Sequence, residues 1–241
     1  MITVRWVWAF LDTVDDDAEA SEAFWHRVTR TELSPPRGER GEFATLVPQL
    51  GDAWVKVQRV VEGGGVHLDL DVEQPLPEAA AEATRRGASE IVRQEDVIVM
   101  TSPGGFTFCL TSWTQAGSPI NQVREDQPDL LDQICLDVPS ELYDAEVDFW
   151  EQLTGWRRRT GALPEFTSLT RPDGIPVRLL FQKLGDRSGT VRGHVDFACH
   201  DRAASREAHV AAGATVVSEH DFWTVMHDPV GRIYCLTHRL P

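Results

Sequence analysis

Hydrophobic positions in the second half of the chain switch from strand spacing to helix spacing and back. "QICLDV" is a short apolar run of strand length. In "DAEVDFWEQLTGW", Val147, Trp150, Leu153 and Thr154 recur at helical intervals and share one face. Gly155 follows them, where a residue that tolerates left-handed backbone ends a helix. Three strand-like runs come next, "RRRTG", "EFTSLTR" and "VRLLFQKL", divided by turn residues such as "RPDG". The order then restarts. "HVDFAC" reads as a strand, "DRAASREAHVAAGA" as a helix ending near Gly213, and "TVVSEH", "FWTVMHD" and "RIYCLTHR" as strands. Each half of this stretch is a βαβββ module.

The first half of the chain writes the same string. "EAFWHRVTR" matches "VDFWEQLTG", "EFATLVP" matches "EFTSLTR", "HLDLDV" matches "HVDFAC", and "RRGAS" matches "AAGAT". "SPGGFTFCLT", from Ser102, matches "DPVGRIYCLT", from Asp228. The offsets drift only between 123 and 127 residues. A unit of about 110 residues, the usual size of one domain, has therefore been duplicated. The expected organisation is α+β, with four βαβββ modules in two tandem domains, 1–115 and 128–241. Residues 116–127, polar and Pro-containing, read as the linker.

Composition narrows the partners. The 241-residue chain is 41% hydrophobic and 25% charged, as a globular protein is. Its formal net charge of -15 argues against nucleic acid as a partner and disfavours an anionic membrane surface. The opening run "MITVRWVWAF" is too short to span a bilayer, and no small-residue cleavage site follows, so a soluble, cytoplasmic monomer or homodimer is expected. Cys109, Cys135, Cys199 and Cys235 show no CxxC spacing and sit in strand-like runs, which reads as reduced core thiols. Ser-His-Asp, P-loop and GxGxxG signatures are absent from the sequence.

The ordered set "FWEQLTGW", "GHVDFAC", "AAGAT" and "WTVMHDPVGRIYCLT" resembles the vicinal oxygen chelate superfamily. That superfamily includes glyoxalase I, extradiol dioxygenases and bleomycin-resistance proteins. The likeness covers nearly the whole chain and is closest to the glyoxalase-like branch. It implies that paired modules curl their sheets into cups around a small ligand, two cups per chain. Active relatives hold a divalent metal there with His, Gln and Glu from the first and last strands of the modules. Carried over position by position, the second cup has Gln133 and His194, but Cys235 stands where a metal-dependent relative keeps its Glu. The first cup keeps His67, with Trp8 opposite Gln133 and Cys109 opposite Cys235.

An acid has thus been exchanged for a weakly polar thiol, and no cofactor is expected. The expected function is a metal-free cup that binds a small organic molecule, of resistance or sequestration type. The alternative is a lyase or isomerase, either metal-dependent through Gln133 and His194 or metal-free with His194 as acid–base group. His67 and His194 are each followed two places on by an acid, Asp69 and Asp196, which a strand puts on the same face. His194 and Asp196 are therefore the candidate catalytic pair, the acid orienting the imidazole. Gln133, Cys235, His67, Trp8, Trp54 and Trp223 are the candidate ligand-binding residues, the tryptophans as stacking surfaces. His227 reads as a rim residue, and Glu42 and Glu165 as exposed strand ends.

Overall fold

In β1 (Val4–Val14) alternate side chains Val7, Ala9 and Leu11 are fully buried, while Trp8 and Asp12 are only partly covered. This is the period-two pattern that gives a strand two different faces. A computed structural model of the protein describes residues 1–114, 128–161 and 163–241. The linker expected at 116–127 lies outside the described residues. After a tight turn at Asp15–Asp17 comes α1 (Ala18–Thr29), which buries Phe24, Trp25 and Val28. Then follow β2 (Thr31–Leu33), β3 (Phe43–Pro48), β4 (Val55–Val60), β5 (Gly65–Val72), α2 (Leu76–Arg85), β6 (Ser89–Arg93), β7 (Val97–Thr101) and β8 (Thr107–Ser112).

The second repeat supplies β9 (Asp129–Val138), α3 (Tyr143–Thr154), β10 (Arg157–Thr160), β11 (Phe166–Thr170), β12 (Arg178–Lys183), β13 (Arg192–Cys199), α4 (Arg202–Ala211), β14 (Thr215–Glu219), β15 (Trp223–His227) and β16 (Ile233–Thr237). Two eight-stranded mixed sheets result, in the orders β2-β3-β4-β1-β5-β8-β7-β6 and β10-β11-β12-β9-β13-β16-β15-β14. The two orders are the same with the numbering advanced by eight, so the fold is the expected α+β tandem. Even an irregularity repeats: the register slips between Glu90 and Val92 and, equivalently, between Val216 and Ser218.

Helix ends show where the copies diverge. α3 stops at Gly155, left-handed at φ 71, whose N–H reaches the Glu151 carbonyl. α1 stops at Arg30, also left-handed, at φ 55, although a side chain is costly there. Its guanidinium donates to Asp129 Oδ1 at 2.7 Å, an anchor that Gly155 lacks a side chain to make. α4 is capped by Asp201, whose Oδ1 accepts the Ala204 N–H at 3.0 Å.

By compactness the described chain forms two units, each drawing on both repeats. One holds Met1–Ala9, Ile134–Gly193 and the described part of His67–Ser118; the other holds Phe10–Val66, His194–Pro241 and the described part of Pro119–Gln133. In the first, Trp150 of α3 meets Phe108 of β8 edge-on at 5.1 Å. In the second, Trp25 of α1 meets Tyr234 of β16 in the same way at 5.3 Å.

Both tryptophans donate their indole N–H to a buried carboxylate, but from opposite elements. Trp25 donates to Asp228 on the turn before β16 at 3.0 Å, with Ser21 on its own helix. Trp150 donates to Glu146 on its own helix at 2.8 Å, and Glu146 also accepts the Gly104 N–H at 2.8 Å. Sequence position pairs Ser21 with Glu146 and Asp228 with Ser102, so acid and serine have changed places between the copies. Among the described residues, the second unit adds a cation. Arg232 lies 3.3 Å from Asp228 and also binds the Asp12 carbonyl at 2.5 Å and the Thr13 hydroxyl at 2.6 Å. Its counterpart is Phe106, and burial raises the pKa of Glu146.

All four cysteines are buried. No helix among the described residues is long and apolar enough to cross a membrane.

Candidate functional site

Strands β13 and β16 run parallel, with Asp196 opposite Cys235. Phe197 and Tyr234 turn to the helix side, where they meet each other, Trp25 and His209. Alternation therefore puts His194, Asp196 and Cys235 together on the other face. There Asp196 Oδ1 stands 3.2 Å from His194 Nε2, and Cys235 Sγ stands 3.6 Å from the same nitrogen. One donor atom from each residue lies within 4.8 Å of the other two. All three residues are buried, Asp196 to 2% exposure, and its Oδ1 completes no hydrogen bond. Its other oxygen accepts from Gln133 Nε2, so four sequence-derived candidates converge at one place.

Trp223 shares the Cys235 face. It stands opposite Thr237 while Val225 stands opposite Cys235, and its ring stacks on His220 at 4.5 Å. His227, opposite Ile233, is on that face too, at the end of β15. The imidazole of His194 meets the acid and the thiol through one nitrogen. Asp196 thus does not orient the ring from its far side, as a proton-relay pair would require.

The first repeat copies the three donors. Strands β5 and β8 are parallel with Asp69 opposite Cys109, and His67 Nε2 lies 3.5 Å from Asp69 Oδ1. This Oδ1 also completes no hydrogen bond. Burial, opposed by a hydrogen bond to His67 and reinforced by the Asp69 charge, pushes the Cys109 thiol up to about 11. Trp8, in the place of Gln133, gives its indole N–H to Asp71 Oδ2 at 3.1 Å, not to Asp69. Asp71 Oδ1 accepts from the Thr111 hydroxyl at 2.6 Å. Sequence reasoning passed over Asp71 and Thr111, although the alternation "HLDLDV" placed Asp71 on the face of His67 and Asp69. The second repeat has Ala198 there, and its Thr237 turns to the Phe197 carbonyl at 2.7 Å.

Trp54, just ahead of β4, is buried and gives its indole N–H to the Leu131 carbonyl at 2.8 Å. That hydrogen bond accounts for its polar atom in packing. The carboxylate of Glu42 accepts the Arg40 N–H at 2.9 Å and so closes its own loop.

The glyoxalase-like domain model matches residues 8–111 and again residues 133–237. No curated protein matches the chain. Among solved structures, a Mn(II)-bound glyoxalase from Novosphingobium aromaticivorans superposes with a TM-score of 0.71 at 15% identity, covering 100% of this chain and 84% of its own. A 2,3-dioxygenase from Pseudomonas gives 0.66 at 14% identity, with 98% and 93% covered. A 2,2',3-trihydroxybiphenyl 1,2-dioxygenase from Sphingomonas wittichii gives 0.62 at 15%, with 98% and 90% covered. At such identities the likeness is one of fold. The two sequence matches, each starting at the Trp8 or Gln133 position and ending at Thr111 or Thr237, settle the kinship: the chain belongs to the glyoxalase-like domain family, as two copies in tandem.

Proposed function

We propose that the protein binds a small organic molecule at the second repeat, on the face that carries Gln133, His194, Asp196, Cys235 and Trp223. The observation that supports this reading is a buried polar cluster with an unsatisfied carboxylate oxygen, Asp196 Oδ1, beside an imidazole and a thiol. A fold does not keep such an oxygen without cost, about 1–3 kcal/mol, unless something else satisfies it. Trp223 adds an aromatic surface on the same face, suited to a planar or apolar ligand portion.

The manganese of the glyoxalase neighbour does not suit these residues. Hard cations of that type favour several oxygen ligands, whereas this cluster offers one carboxylate, one imidazole and one thiol. The binding reading therefore rests on hydrogen bonding by His194 and Gln133 and on stacking by Trp223, as in a sequestering protein.

A second reading, a lyase or isomerase with His194 as the acid–base group, is favoured by the 3.2 Å contact between His194 and Asp196. A carboxylate at that distance stabilises the imidazolium that forms when the ring takes a proton. Native mass spectrometry of the purified protein tests the binding reading. An organic molecule retained at one per chain is expected, released from the His194→Ala protein and kept by His67→Ala. Retention unchanged by His194→Ala would overturn the assignment of the site.

A further inference from the structure

Basic residues are concentrated in one stretch of an acidic chain. The protein carries 23 Lys and Arg against 38 Asp and Glu, yet between Arg157 and Arg192 eight residues are basic and three acidic. This stretch builds β10, β11 and β12, which lie side by side at one edge of their sheet and share a compact unit with α3. Arg158 of β10 points to the helix side, where its guanidinium pairs with Asp148 and, at 2.9 Å, with Glu151 of α3. It stands opposite Leu169, and Leu169 opposite Leu179, both buried. Alternation therefore turns Arg157 and Arg159 to the other face, away from α3.

The register names their neighbours on that face. Arg157 stands opposite Thr170, and Arg159 opposite Ser168, which stands opposite Leu180. Continued by one pair, the register of β11 with β12 brings Arg178 opposite Thr170. Three guanidinium side chains thus flank two hydroxyls over a half-buried Leu180. A strand rises about 3.3 Å per residue and strands lie about 4.8 Å apart, so the Arg157 backbone is about 7 Å from that of Arg159 and about 10 Å from that of Arg178. Side chains as long as arginine close on a single anion from such positions. Like charges so placed repel one another. Arg158 takes two acids, whereas no carboxylate among the described residues pairs with the guanidinium of Arg157 or Arg159.

The first repeat shows that the fold does not require this charge. There Leu33 stands opposite Leu46, and Leu46 opposite Val55, so Glu32, Ser34 and Trp54 occupy the places of Arg157, Arg159 and Arg178. A charge on an edge strand discourages pairing with another chain, but either sign serves, as Glu32 does on β2. Edge protection therefore leaves the three arginines unexplained.

We propose that the face of β10–β12 carrying Arg157, Arg159 and Arg178 is a binding site for a small organic acid. Its carboxylate or phosphate is held by the guanidinium forks, with Ser168 and Thr170 as hydroxyl donors, and its apolar body lies on Leu180. The planar fork of arginine matches both anionic groups. A small anion is favoured over a polyanion because screening confines each charge to about 8 Å at physiological salt. A small anion thus meets only the local basic field, whereas an extended one also meets the excess acid of the chain. The site shares no residue with the His194 cluster and does not rest on the function proposed for it.

The test uses the full chain, 15N-labelled, with the arginine side-chain Nε–H signals followed during titration with benzoate, phenyl phosphate or benzamide. Both anions should shift the Arg157 and Arg159 signals saturably, at one per chain. Benzamide, the same ring without the charge, should bind about tenfold more weakly or worse. Arg157→Glu combined with Arg159→Ser writes the first repeat's residues into the second, and should weaken benzoate by about tenfold or more. Arg159→Lys, which keeps the charge and loses the fork, should fall between that variant and the parent. His194→Ala should leave anion binding unchanged, so this site and the His194 site fail or stand separately. The parent titration needs no variant and decides the matter even where a variant misfolds. No saturable shift with either anion, benzamide binding as tightly as benzoate, or tighter binding of polyglutamate than of phenyl phosphate would overturn the proposal. Benzoate affinity unchanged in Arg157→Glu/Arg159→Ser would overturn it too, and would leave the arginines with edge protection alone.

Discussion

His194 Nε2 faces two partners at once, Asp196 Oδ1 at 3.2 Å and Cys235 Sγ at 3.6 Å. Because both contacts fall on one nitrogen, the three residues converge on a point instead of forming a chain. This separates the site from a Cys-His-Asp nucleophile relay, in which thiol and acid occupy opposite sides of the ring. It also predicts a result. Cys235→Ala should leave a small-molecule ligand bound more weakly, and the parent protein should form no covalent adduct at Cys235, as checked by intact mass after incubation with candidate substrates.

The two buried tryptophan–carboxylate pairs should respond differently to neutralisation. Asp228 compensates Arg232, whose side chain is only 8% exposed. Asp228→Asn leaves that guanidinium with the more weakly acting Asp12 as its compensating carboxylate and should cost about 3–5 kcal/mol in urea unfolding. Glu146 is held by hydrogen bonds from Ser102, Trp150 and the Gly104 N–H, and Glu146→Gln loses one acceptor, at about 1–3 kcal/mol.

The pH dependence follows from the same difference. Burial raises the Glu146 pKa in the folded state, so the folded chain binds this proton more tightly than the unfolded one. Its contribution to stability is complete below the ordinary carboxylate range and is lost as pH rises through the folded value. Glu146→Gln should flatten that part of the stability profile, measured by thermal unfolding from pH 4 upward. An unchanged slope would mean that Glu146 is not the group responsible.

At the end of α1 the opposite sign applies. Burial raises the Asp129 pKa, but His209, Arg30 and Ser205 outweigh it and hold the carboxyl at about 2. Stability from this group is present above the unfolded value and disappears as pH falls towards about 2. Arg30→Gly relieves a left-handed side chain yet removes the 2.7 Å contact to Asp129. A net loss of about 1–3 kcal/mol is expected, with the acid limb of the profile moved to higher pH.

Cys199 should react more slowly than Cys109. Burial pushes Cys199 up to about 12, against a weaker opposing hydrogen bond from Ser205. Iodoacetamide at pH 8 followed by peptide mass mapping should leave it unmodified until the chain unfolds.

The element order was legible because period two and period 3.6 are written plainly around "QICLDV" and "DAEVDFWEQLTGW", and because each was written twice. Placement of His194 and Asp196 on one strand face followed from their i, i+2 spacing, and Cys235 joined them through the parallel register of β13 and β16. The identity of the contacting nitrogen was not legible, since it depends on ring rotation about side-chain bonds. Nor was the commitment of Trp54 to the Leu131 carbonyl, a contact across 77 residues that no local pattern reports. The exchange of acid and serine between Glu146 with Ser102 and Asp228 with Ser21 could be read from the aligned repeats, but its reason needed Arg232 and Phe106 in place.

The central claim is that the second repeat, and not the first, carries the working site. Binding isotherms for the organic molecule retained in native mass spectra test it most directly, compared across the parent protein, His194→Ala and His67→Ala. His194→Ala should weaken binding by about 1–3 kcal/mol, roughly 5- to 150-fold, with His67→Ala within twofold or so of the parent. Equal losses in both variants, or a loss in His67→Ala alone, would contradict it.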